Sequence, residues 1–71
     1  MEITLVLYNG MEKKKVYFEN PQGETIGHIL TLLGIDQNTN VIVISGGQVL
    51  SPADRIMEEM EIKIFPVMEG G

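Results

Sequence analysis

Apolar and polar residues alternate along two stretches near the N-terminus, and this pattern predicts two β-strands. In residues 3–8, one face carries Ile3, Leu5 and Leu7 and the other carries Thr4, Val6 and Tyr8. Residues 15–19 form the second alternating stretch. Between them, Asn9-Gly10 is a hairpin-turn signal, although residues 11–14 suggest a longer loop. We therefore expect a β-hairpin.

In residues 25–34 the apolar side chains recur every three or four positions, which predicts an amphipathic helix. Thr25 can cap the helix N-terminus, where Glu24 suits the macrodipole, and Gly34 suits the left-handed position after the C-terminus, so that Ile35 could contact Leu30. His28 lies opposite the apolar stripe and is expected to be solvated, because no second histidine or cysteine accompanies it as a metal ligand. The apolar stripe comprises Ile26, Ile29, Leu30 and Leu33.

Three further strands are expected in the second half of the chain. The apolar, β-branched run 41–44 predicts a strand covered over most of its length, and Gly46-Gly47 predicts a hairpin into a short strand. Residues 51–55 read as a loop or a single helical turn, and residues 61–65 as the last strand. Ile56 and Met57 are expected in the core.

These elements predict an α+β fold in which a small sheet of four or five strands is covered on one face by one helix. The second sheet face should then carry Val6, Tyr8 and Phe65. An apolar patch of this kind often marks a partner surface, although single exposed apolar residues are also ordinary on monomers.

The C-terminal residues carry the candidate chemistry. Proline has no N–H to donate, so we expect the last strand to stop before Pro66 and residues 66–71 to form a flexible tail on a 1–65 domain. Fully extended, six residues reach roughly 20 Å. The chain ends in Gly70-Gly71, which can enter a narrow slot and deliver the ionised carboxylate of Gly71. Such a carboxylate can attack the α-phosphate of ATP and form a mixed anhydride, which a sulfur or nitrogen nucleophile can open. The alternative is a loose end with chance glycines.

Composition narrows the possible functions. A chain of 71 residues is one domain, and the absence of cysteine excludes disulfides and thiolate metal sites. The net charge of −5 argues against nucleic-acid binding and is compatible with a partner whose groove is basic, or with solubility alone. The basic run Lys13-Lys14-Lys15 is expected at a turn, as a solvated edge. The apolar runs are too short for a membrane span and no signal peptide is evident, so a cytoplasmic location is expected.

Residues 25–34 and the ending Phe65-Pro66-Val67-Met68-Glu69-Gly70-Gly71, together with the order of elements, resemble the ThiS/MoaD family of sulfur-carrier proteins. This family has the ubiquitin-like β-grasp fold. The resemblance implies a carrier and not an enzyme, with no bound cofactor or metal, and a monomer when free.

The resemblance also implies roles for individual residues and partners. A ubiquitin-activating-type adenylyltransferase would use ATP to adenylate Gly71, which would then become a thiocarboxylate. Gly70 would thread the partner's channel, and Phe65 and Pro66 would fix where the tail leaves the sheet. The sulfur would pass to a synthase, such as thiazole synthase or the large subunit of molybdopterin synthase, or to a tRNA base.

Two alternatives stay open at this point. The protein could be a modifier that is conjugated to lysines of other proteins through Gly71, or an interaction domain that uses its surface alone.

Overall fold

The computed structural model describes residues 2–19, 23–35 and 40–67. These residues form five strands and one helix in the order ββαβββ. The strands are β1 (Glu2–Asn9), β2 (Glu12–Glu19), β3 (Val41–Ser45), β4 (Gln48–Leu50) and β5 (Glu61–Pro66), and the helix is α1 (Ile26–Leu32).

The first hairpin is tighter than the sequence predicts. Asn9 pairs with Glu12, which leaves only Gly10 and Met11 in the turn. Gly10 has φ +64°, the left-handed conformation that a type II′ turn requires at its first central position. Because this glycine lets the strands pair immediately, the expected longer loop is wrong. The lysine run 13–15 therefore lies within an eight-residue strand and not at a turn.

The five strands form one mixed sheet in the order β2-β1-β5-β3-β4. The central neighbours β1 and β5 run parallel, and the other three pairs are antiparallel. The β3–β4 hairpin turns through Gly46 and Gly47, as predicted, and both have positive φ. β1 and β5 therefore lie in the interior of the sheet, and β2 and β4 form its edges.

Both ends of α1 are fixed by hydrogen bonds that the sequence predicts. At the N-terminus, the Thr25 hydroxyl accepts from the His28 N–H. At the C-terminus, the Ile35 N–H donates to the Leu30 carbonyl and Gly34, at φ +79°, donates to Thr31. This pair of bonds is the Schellman pattern.

The first turn of α1 also docks on the loop before β5. The Ile26 and Gly27 N–H groups donate to the carbonyls of Asp54 and Pro52, both at 2.9 Å. A Cβ on Gly27 would lie 3.2 Å from that Pro52 oxygen. The helix glycine therefore permits an approach that a larger residue would hinder.

One face of the sheet packs against α1 and forms the core. Ile56, from the loop before β5, is fully buried there as expected, whereas Met57 is 57% exposed, so its predicted core position is wrong. The buried cluster consists of Ile3, Leu5, Ile26, Ile29, Leu30, Val43, Ile56, Ile62 and Ile64. This α+β arrangement confirms the predicted ubiquitin-like β-grasp fold.

Candidate functional site

No described element covers the second face of the sheet, which we call the open face, because α1 lies on the side that carries Ile3 and Leu5. Strand alternation and the pairing register decide which residues occupy this open face. Along the end nearest the C-terminus, the register places Lys13, Tyr8, Phe65 and Ile42 side by side. One row further in, it places Lys15, Val6, Lys63, Ile44 and Val49 side by side.

Tyr8 and Phe65 form the centre of this face. Their rings stack with centroids 4.4 Å apart and planes 12° from parallel. They lie on the adjacent parallel strands β1 and β5, and Ile42 of β3 is the cross-strand partner of Phe65 on the other side. The aromatic pair predicted for this face is therefore present, and Ile42, 41% exposed, extends it.

Val6 lies on the predicted face but is not available to a partner there. It is only 2% exposed. Its cross-strand neighbours are Lys15 on β2 and Lys63 on β5, and we attribute its burial to the methylene stems of these lysines. The expectation that Val6 contacts a partner directly is corrected on this point. Tyr8, Phe65 and Ile42 form the accessible apolar part of this face, which we call the aromatic patch.

The last strand runs one residue further than predicted, through Pro66, which pairs with Val41. Val67 N–H donates to the Asn40 carbonyl at 2.9 Å, and hydrogen-bonded and non-hydrogen-bonded pairs alternate in an antiparallel ladder. The Pro66–Val41 pair is therefore a non-hydrogen-bonded one. On the other side of β5, pairing with β1 ends at Ile64. The missing N–H of Pro66 thus breaks no hydrogen bond to β3, so this pairing continues through it, and pairing with β1 has already ended.

The candidate reactive residue Gly71 and the threading residue Gly70 lie outside the described residues, as do Met68 and Glu69. Val67 is therefore the last residue whose position the structure gives. Four residues follow it, and fully extended they reach at most about 14 Å. This reach is shorter than the one expected from a tail that begins at Pro66.

Side chains of both charge signs lie on the open face, at different ends of it. Lys13, Lys15 and Lys63 lie beside the aromatic patch, whereas Glu2, Glu19 and Glu61 lie at the other end of the same face. On the far side of the molecule, Arg55 donates to the Gly23 carbonyl and His28 pairs with Glu24. His28 is half exposed, as predicted, but it has this partner. A protein that docks on the open face therefore meets an aromatic surface bordered by positive charge.

Sequence reasoning missed Ile42, Lys13 and Lys15 on this face, whereas the alternation of the last strand correctly placed Lys63 on the same side as Phe65. The continuous run 41–44 gave no alternation, so we expected it to be covered, whereas Ile42 lies on the open face and Val43 in the core. The last strand does alternate, with Ile64 on one face and Phe65 on the other. Pairing residues 41–44 with that strand would have assigned Ile42 to the open face and Val43 to the core.

Two further observations limit what this site can be. Among the described residues, no group of three or more histidine, cysteine or acidic side chains is placed to hold a metal ion. The helix in the described part of the chain is too short to cross a membrane.

Comparison with solved structures shows the same fold in three proteins of low sequence identity. SAMP1 from Haloferax volcanii superposes with a TM-score of 0.73 at 15% identity, and each chain is covered completely. A protein described as Caldiarchaeum subterraneum ubiquitin gives a TM-score of 0.69 at 15% identity, covering 100% of this chain and 98% of that one.

A third structure, a ubiquitin-like protein from the same hyperthermophilic archaeon, gives a TM-score of 0.62 at 14% identity, covering 99% of this chain and all of the other. No protein-family model matches the chain, and no curated protein matches it significantly. These comparisons show the ubiquitin-like fold.

Proposed function

We propose that the protein is a sulfur carrier whose C-terminal Gly71 is activated by a partner enzyme. The observation that carries the proposal is the end of β5: Phe65 stacks in the aromatic patch, Pro66 closes the strand, and only a few residues later the chain ends in Gly70-Gly71. Only a few residues of chain therefore separate the proposed docking surface from the main-chain carboxylate of Gly71. The resemblance to the ThiS/MoaD ending supports the same proposal.

The chemistry has two steps, both performed on the protein as a substrate. A carboxylate oxygen of Gly71 attacks the α-phosphorus of ATP, the bond to pyrophosphate breaks, and an acyl-adenylate forms. A sulfur nucleophile then attacks the carbonyl carbon and AMP leaves. The chain has no cysteine, so the sulfur must come from another protein or from a sulfide donor. Hydrosulfide gives the C-terminal thiocarboxylate directly. A protein persulfide gives an acyl disulfide instead, and a thiol of the donor protein must then cleave its S–S bond, which leaves the thiocarboxylate on Gly71 and a disulfide on the donor.

The geometry sets a requirement on the activating partner, which we propose is a ubiquitin-activating-type adenylyltransferase. Its ATP site must lie within about 14 Å of the position of Val67 when Tyr8, Phe65 and Ile42 are docked. Gly70 would occupy the narrowest part of the channel, because it has no Cβ. Sulfur-accepting partners would be synthases such as thiazole synthase or the large subunit of molybdopterin synthase. We propose that the carrier functions in the cytoplasm and that ATP belongs to the partner's site.

A second candidate function is supported by the ubiquitin fold of the neighbours. In this alternative, the ε-amine of a lysine on another protein attacks the activated Gly71 carbonyl, and an isopeptide bond forms as the activating group leaves. Both functions use the same first step and the same docking surface.

Intact-mass spectrometry of the protein purified from its native cells tests these proposals. The carrier function predicts a fraction whose mass reflects the exchange of one oxygen for sulfur at Gly71. The modifier function predicts higher-mass adducts on cellular proteins that disappear when Gly71 is deleted. If deletion of Gly70 and Gly71 left the cellular function intact, both proposals would be wrong and a surface-only interaction domain would remain.

A further inference from the structure

Among the described residues, no strand pairs with the outer side of β2, which we call the β2 edge. β2 spans eight residues and pairs with β1 on one side only, as the first strand of the sheet order. A two-residue hairpin turn is closed by a hydrogen-bonded pair, here Asn9–Glu12, and bonded pairs alternate along the ladder. Lys13, Lys15 and Tyr17 therefore occupy non-hydrogen-bonded pairs, so their backbone N–H and C=O groups point away from β1.

This edge carries most of the positive charge of the chain. Three of its five lysines and arginines are the consecutive residues Lys13, Lys14 and Lys15, and all three side chains are exposed. Within the described part of the chain, no salt bridge neutralises them. A charged edge of this kind discourages pairing with a second copy, because like charges would be brought together. The same charges attract an acidic segment.

An apolar groove runs beside the edge on the helix side of the sheet. It has a volume of about 360 Å³ and lies between β2 and the C-terminal end of α1. Its apolar lining comes from Leu7, Val16 and Leu33, each partly exposed, while Lys13 and Lys14 border it with Glu12 at the turn end. An extended chain laid along β2 would direct every second side chain into this groove.

We propose that the β2 edge binds an extended partner segment in which apolar and acidic residues alternate. The segment adds a sixth strand to the sheet through the outward backbone groups of Lys13, Lys15 and Tyr17. Its apolar side chains enter the groove beside Val16, and its acidic side chains lie beside Lys13 and Lys15. The interaction is non-covalent and does not use Gly71, so it is independent of the proposed carrier function.

A capped seven-residue peptide that alternates valine and glutamate, beginning and ending with valine, is a direct probe. Titration into the isotope-labelled full chain, followed by amide NMR, should shift the signals of Lys13, Lys15 and Tyr17 more than those of Tyr8, Phe65 or Ile42. A control peptide with lysine in place of glutamate should bind at least about tenfold more weakly, because its charges are repelled by Lys13 and Lys15.

Charge-reversal variants localise the site. Lys13→Glu combined with Lys15→Glu should weaken binding of the glutamate peptide by about tenfold or more, whereas Lys63→Glu, an exposed reversal on β5, should change it less than about twofold. Lys15→Pro removes an outward N–H that the sheet does not use and should weaken binding while the fold persists. Deletion of Gly71 should leave binding unchanged.

Several results would overturn the proposal. Equal affinity for the two peptides, no binding at millimolar concentration, or shifts centred on the aromatic patch would each do so. Concentration-dependent shifts along β2 without peptide would show that a second copy of the chain is the true occupant.

Discussion

The two faces of the sheet differ in what their side chains do. On β5, the neighbours Ile64 and Phe65 point to opposite faces: Ile64 is buried against α1, and Phe65 stacks with Tyr8 on the open side. The buried side chains of the covered face are apolar, and their packing stabilises the fold. The open face combines aromatic rings with lysines, a composition that the fold itself does not require.

In the proposed function, stability and recognition are divided between alternate residues of the same strand. A strand directs successive side chains to opposite faces, so one residue can be changed for binding while its neighbour maintains the core. The division predicts that substitutions on the two faces have different consequences, even at adjacent positions.

The largest effect on stability is expected from Ile64→Ala. Ile64 is 2% exposed and contacts the core, so the truncation should lower the free energy of unfolding by about 2–5 kcal/mol. Chemical denaturation measures this change. In a domain of this size, such a loss should leave a substantial unfolded fraction at moderate temperature. A change below about 1 kcal/mol would show that the covered face is not the main source of stability.

Phe65→Ala should have a smaller effect on folding and a larger one on recognition. Loss of the Tyr8 stacking and of part of the ring burial should cost about 1–2 kcal/mol. Activation by the partner enzyme should fall much more than this loss explains, when it is measured at a temperature where the variant is fully folded. Phe65→Tyr is the matched control, since it keeps the stacked ring. If activation of the alanine variant matched that of the wild type, the aromatic patch would not be the docking surface.

Ile42→Ser should change stability least. Its side chain is 41% exposed on the open face, so the expected loss is within about 0.5–1 kcal/mol. We expect the KM for activation to rise while the melting temperature stays nearly constant. Val49→Ser is the control, because Val49 is also exposed on this face but lies on the β4 edge, away from Tyr8 and Phe65. Equal effects of the two substitutions would contradict a localised patch.

Much of the fold follows from local patterns in the sequence. The helical stripe and the two caps at Thr25 and Gly34 predict α1 to within a few residues, because capping chemistry acts over one turn. The first hairpin shows the limit of local patterns. Residues 11–14 suggested a longer loop, whereas the positive φ of Gly10 permits a two-residue turn, and the edge strand that follows tolerates adjacent lysines. The core position predicted for Met57 was wrong because residues 56 and 57 lie in a loop, where no helical or strand periodicity shows which side chain is buried.

The candidate site was predicted only in part, because it depends on which strands are neighbours. Alternation placed Tyr8 and Phe65 on one face, but the parallel pairing of β1 with β5 that stacks their rings is not visible in either strand alone. The burial of Val6 and the exposure of Ile42 arise from cross-strand neighbours in the same way. Gly70 and Gly71 remain predictions from sequence.

The central claim is that the folded domain presents the carboxylate of Gly71 to an activating enzyme. Deletion of Gly71 tests this claim most directly. ATP–pyrophosphate exchange catalysed by the activating partner should be lost in the shortened chain, while the melting temperature stays at the wild-type value. Exchange that persists without Gly71, or a melting temperature that falls with it, would contradict the account.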